Sequence, residues 1–150
     1  MANRKMHMIV GAAAGDASAC VLARDQEPAH QLVETLGGVL AGTLAGRLPD
    51  IIEPALHPGH RSIAHAMLPT GAAGVAVVPR LRAGQQHVRR WADQCHARHD
   101  GAENLLAQFL WWLAEMACRL VSGAVAGSAA GYASHLVLDA TTPMELPLLA

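Results

Sequence analysis

Aromatic residues are scarce in this chain: three Trp, one Tyr and one Phe among 150 residues. Rings therefore cannot fill a core, which has to come from aliphatic side chains and close backbone approach. Charge is thin as well. Asp, Glu, Lys and Arg make up 15% of the chain, against about 25% in a typical soluble domain. The formal net charge is -1, so there is no global basic field to hold nucleic acid, and no direct nucleic-acid binding is expected. The three cysteines, Cys20, Cys95 and Cys118, show no CxxC spacing; this excludes a disulfide framework and fits a reducing compartment. A Walker loop, a GxGxxG after a strand, a GxSxG and an HExxH are all missing. Their absence removes the common signatures of phosphate loops, dinucleotide folds, serine hydrolases and zinc proteases.

What fills the chain instead is small and apolar. Ala occurs 30 times and Gly 14 times, and 52% of residues are hydrophobic. The length suits one domain, with a composition between a soluble helical domain and a membrane-associated one. The start, MANRK followed by a short apolar run, has the outline of a signal peptide, but His7 and Asp16 interrupt it.

Three rows of glycine at intervals of four organise the sequence. They are His7-Gly11-Gly15, then Gly38-Gly42-Gly46 with Asp50 one step beyond, then Gly123-Gly127-Gly131-His135-Asp139. Residues four apart lie one above the other on a helix. A glycine row strips one face of side chains and lets helix backbones touch. Each row leads to His or Asp, so the rows predict a compact all-α bundle with an ionisable cluster at one end.

Residues 6–23 and 31–47 read as helices. Residues 51–59, with three prolines at or near them, read as irregular. A third helix is expected over 61–78, broken near Pro69-Thr70-Gly71 and stopped by Pro79. Residues 80–101, the one strongly polar stretch, read as a solvated arginine-rich face, helix or ordered loop. Residues 103–140 read as one long helix or two, with a weak point at Ser122-Gly123. The total is about five to six helices. Glu115 and Arg119 form an i,i+4 pair on a narrow polar stripe of the last segment. The rest of that segment is a wide apolar arc, which calls for deep burial, a partner or a lipid surface.

Four clusters carry candidate chemistry. His135 and Asp139 share a helix face one turn apart and suit one metal ion through N and O ligands. Asp50 and Glu53 sit in a loop stiffened by Pro49 and Pro54. His57, His60, Arg61 and His65 crowd nine residues, and the planar fork of Arg61 suits a phosphate oxygen. His7 is a lone histidine on an apolar helix. Cys95 and His99 have half the spacing of a zinc site, with no second half.

Taken in order, Leu-Pro-Asp50, His60-Arg61-x-x-x-His65 and Gly131-Tyr132-x-Ser134-His135-Leu-x-Leu-Asp139-x-x-Thr142-Pro resemble the membrane-bound, metal-dependent hydrolase family, also described as LexA-binding, inner-membrane-associated hydrolases. The family pattern is similar to LPDID, HRGxTHS and GYxSHLxxD, preceded by an early His that His7 matches. Here the second Asp of the first block is Ile52, and the second block reads HRSIAHA. The resemblance implies a helical, metal-binding, hydrolytic protein, cytoplasmic or associated with the inner membrane.

The combined reading is a mono- or dinuclear centre binding Zn, Mn or Fe. Its ligands are His7, Asp50, His65, His135 and Asp139, with His60 and Glu53 in reserve. Glu53 or Asp50 would act as base, and Arg61 would steady negative charge on a phosphoester or similar group. The alternative is a non-enzymatic, membrane-associated or homo-oligomeric helical protein with a structural His/Asp cluster. A third reading is a protein-binding module using the Trp111-Trp112 face.

Overall fold

The computed structural model describes residues 4–52 and 67–140. Within them every regular element is a helix: α1 Arg4–Ala23, α2 Pro28–Ala45, α3 Leu48–Ile52, α4 Met67–Asp100 and α5 Leu105–Ala140. Four are long and α3 is a single short turn, fewer than the five to six expected.

The difference lies at two breaks that do not form. Pro79 stands inside α4 instead of ending it. A proline there removes one N–H and costs about 3 kcal/mol relative to Ala. The part of α4 beyond it packs along α5, and those contacts offset the local penalty. Ser122-Gly123 likewise leaves α5 continuous. A short helical turn also reaches Ile52, where irregular chain was expected.

Local chemistry sets the ends. Pro28 opens α2 with its φ already fixed. Gly46 closes α2, its N–H bonding to the Gly42 carbonyl at 2.9 Å. Asn104 caps α5, its Oδ1 accepting the Ala107 N–H at 2.8 Å.

The glycine rows stack on one another. The position of a Cβ on Gly11 lies 2.5 Å from the Gly42 carbonyl oxygen, and one on Gly46 lies 2.6 Å from that of His7. Gly127 meets the backbone of Gly38, Gly131 meets that of Gly42, and Gly123 meets that of Glu34. Thus α2 and α5 run side by side in the same direction, and α1 lies antiparallel to both. The far half of α4 runs antiparallel to the first half of α5, with Asp93 opposite Arg119 and His96 opposite Glu115.

The interior is polar and the exterior apolar. Among the residues whose side chains are described, His7, Glu34, Gln85, Glu115, Arg119, Ser122, His135 and Asp139 are buried, whereas the buried hydrophobic ones are five alanines and Leu136. Leucines face outward: Leu32 is 71% exposed, Leu44 69% and Leu105 83%. The apolar arc of α5 therefore faces away from the bundle, and its narrow polar stripe faces in. Two helices, α1 and α5, are long and apolar enough to cross a membrane.

Candidate metal centre

At the end of the three glycine rows the structure brings His7, Asp50, His135 and Asp139 together. His7 comes from the first turn of α1, Asp50 from α3, and His135 and Asp139 from the last turns of α5. The rows explain why these side chains can meet. Gly46 lets α1 pass against the end of α2, and Gly131 holds α5 on α2 one turn before His135.

His135 is completely buried, and its Nδ1 lies 2.8 Å from the Gly46 carbonyl oxygen. A carbonyl only accepts, so Nδ1 carries a hydrogen and donates it, and Nε2 is turned toward the carboxylates. That Nε2 lies 3.5 Å from Asp139 Oδ2 and 3.7 Å from Asp50 Oδ1. The other Asp139 oxygen lies 3.4 Å from His7 Nε2. The two imidazoles stack with ring centroids 4.0 Å apart. One ligand atom from each of His7, His135 and Asp139 falls within 4.8 Å of the others.

These separations test the fit of a metal ion. Atoms about 2.0–2.2 Å from a shared cation sit about 3.3–3.6 Å apart at the tetrahedral angle. The separations of 3.4 and 3.5 Å, each to a different oxygen of Asp139, are of that size and exceed the usual N–H···O length. The donor set, neutral imidazole and carboxylate, suits Zn, Mn or Fe. The backbone carbonyl behind His135 fixes its tautomer in the manner usual for ligating histidines. Asp50 is 36% exposed while the other three are almost fully covered, so the cluster opens to solvent on its side.

Glu53, His60, Arg61 and His65 lie outside the described residues. Trp111 and Trp112 do not share one face: Arg98 lies 4.7 Å over the Trp111 ring, while exposed Trp112 stacks on Phe109.

A second polar cluster lies at the opposite end, and the sequence reading missed it. Residues 80–101 do not form a solvated face throughout, because one side of α4 turns inward. Arg89 donates through Nε to both oxygens of fully buried Glu34, at 3.0 and 3.1 Å, and through a terminal nitrogen to the Leu22 carbonyl at 2.9 Å. Arg119 donates to Gln26 Oε1 at 2.8 Å and to Asp93 Oδ1 at 2.7 Å. Glu115 Oε1 lies 2.8 Å from His30 Nε2, and its Oε2 lies 2.9 Å from His96 Nδ1. The hydrogen bond and negative charge of Glu115 hold the His96 pKa above the usual 6.5. The available signal was the spacing of Arg89, Asp93, His96 and Asp100, which is one stripe of a helix.

No protein-family model, curated protein or solved structure matches this chain.

Proposed function

We propose that the chain is a membrane-associated, metal-dependent hydrolase of the family its blocks resemble, with His7, His135 and Asp139 holding a divalent cation. One observation carries this reading. His135, held through its Nδ1–H on the Gly46 carbonyl, turns Nε2 toward the carboxylates of Asp50 and Asp139 beside the stacked ring of His7. Imidazole nitrogens and carboxylate oxygens gathered at one place are the donor set that divalent cations such as Zn, Mn or Fe take.

A bound cation would supply Lewis acidity and lower the pKa of a coordinated water to about 7. The protein groups have their own tasks. Gly46 orients His135, and Asp139 spans the two imidazoles. Asp50, at the open side, is placed to take a proton from an incoming water. The three covered ligands exclude solvent from the remaining sides. The substrate class is a phosphoester or a similar hydrolysable bond.

The apolar exterior supports residence in or on a membrane. Exposed leucines on α2 and α5 have no energetic reason to face water in such number, while interiors of glycine contacts and paired ionisable groups are what helices in lipid use. The same exterior favours a second reading, a membrane or oligomeric helical protein whose cation is purely structural.

Chelator-free purification in detergent, metal counting and a phosphoester panel separate the two. Bound metal with turnover, both lost in folded His135→Ala, supports the hydrolase. Stoichiometric metal without turnover supports the structural reading. A folded, metal-free wild type that binds no added Zn, Mn or Fe overturns both.

A further inference from the structure

The second polar cluster has the components of a cation site of its own. We propose that His30, His96 and Glu115 bind a divalent cation that pins α4 and α5 to the start of α2, with Asp100 as the outer carboxylate behind His96.

Four observations support this. First, the three side chains come from three helices, and one ligand atom of each falls within 4.8 Å of the others. Second, Glu115 Oε1 is buried and accepts no hydrogen bond, although His30 Nε2 is 2.8 Å away. The pair is close without being aligned as donor and acceptor.

Third, the cluster is acidic. Glu34 takes Arg89, while Arg119 lies between Asp93 and Glu115. Glu115, Asp100 and Glu27 all act on His96, so carboxylates outnumber the guanidinium among them, and a divalent ion suits such a site. Fourth, His96 turns Nδ1 toward Glu115 and Nε2 toward Asp100 Oδ2, 3.6 Å away. A carboxylate behind a ligating imidazole fixes its tautomer and raises its basicity. His96 is also 49% exposed, which gives an ion a route in.

This site shares no residue with the cluster around His135 and is independent of the hydrolase reading. The test uses the full chain in detergent carrying His135→Ala and Asp139→Ala, with Co(II) and Zn(II) as probes. The expected result is one equivalent of Co(II) with a visible d–d spectrum. Adding His96→Ala, a half-exposed position that leaves the packing intact, should abolish it, and Glu115→Gln should do the same. No binding by the folded double variant, or binding that survives both His96→Ala and His30→Ala, overturns the proposal. Should the double variant not fold, Zn stoichiometry is compared between wild type and His96→Ala. Loss of one equivalent supports the site, and an unchanged count overturns it.

Discussion

Replacing Gly131 with Ala tests whether glycine contacts hold the His135 cluster together. A Cβ there falls 2.6 Å from the Cα of Gly42 and 2.8 Å from its carbonyl carbon. Both are backbone atoms inside α2, so neither can rotate away. The Gly42 carbonyl oxygen is nearer still, so restoring the ordinary contact of 3.4 Å requires α2 and α5 to part by at least about 0.8 Å at this level. One turn further on, the His135–Gly46 hydrogen bond starts at 2.8 Å. The same displacement stretches it to about 3.6 Å, where it no longer counts as a hydrogen bond. Overpacking of this kind costs about 1–3 kcal/mol, and loss of an outer partner to a ligating His costs about 10–100-fold in metal affinity. Gly84 is the control. It lies inside α4 with nothing within 4 Å of its Cβ position, so Gly84→Ala should gain about 0.5–1 kcal/mol from helix propensity. Thermal unfolding in one detergent, and zinc competition against a chromophoric chelator, read both variants. Equal stability and equal zinc affinity in Gly131→Ala and wild type would refute the contact argument. A loss of stability in Gly84→Ala would show that the glycine geometry of α4 has been misjudged.

Three further outcomes are expected. Arg89→Ala leaves the carboxylate of Glu34 buried without its guanidinium and should destabilise by about 3–5 kcal/mol; Arg24→Ala, whose Asp25 pair is largely exposed, should change stability by under about 0.5 kcal/mol, both read by denaturant unfolding. In metal-free protein the His96 imidazole should titrate above the usual 6.5 and fall back toward it in Glu115→Gln, followed by NMR of the ring protons. Because the folded value is the raised one, its contribution to stability is complete below about pH 6.5 and disappears as pH rises through that folded value. Leu40→Asp, on the outward side of α2, should be nearly neutral if that face meets water. If it meets lipid it should cost about 3–4 kcal/mol and deplete the protein from the membrane fraction.

The legible parts of this protein are those written in one repeated spacing. Glycine every fourth residue names both the face of a helix and the kind of neighbour that face will have, because only backbone can come so near. The contacts of Gly38 with Gly127 and of Gly42 with Gly131 follow from it, as does the meeting of His7, His135 and Asp139 where the rows end. Hidden parts depend on partners far apart in the chain. Nothing near Glu34 announces that Arg89 will reach it, and nothing near His30 points to Glu115 or His96. The polar stretch before Gly101 looked solvated because it contains many charged residues. A helix needs only one stripe of them turned inward to bind a buried acid. Pro79 misled for a related reason: the local cost of a proline is knowable from sequence, but the packing of the helix beyond it is not.

The inverted layout also decides what holds the helices together. Among the described residues, fully buried apolar side chains are few and mostly alanine, so between α1, α2 and α5 burial of large hydrophobic groups contributes little. The remaining forces are dispersion at short range between stacked glycines and attraction between paired ionisable groups. Dispersion falls away when a gap of even 0.5–1 Å opens, and a buried ion pair that loses one member leaves an expensive charge behind. Both act over short distances and tolerate little rearrangement. A bundle held by them has narrow freedom in how α1, α2 and α5 sit, and His7, Asp50, His135 and Asp139 are mounted on α1, α5 and the short turn that follows α2. The small side chains between α1, α2 and α5 are therefore tied to the closeness of that cluster: bulkier ones there would hold the helices farther apart and separate the imidazoles that now stack at 4.0 Å.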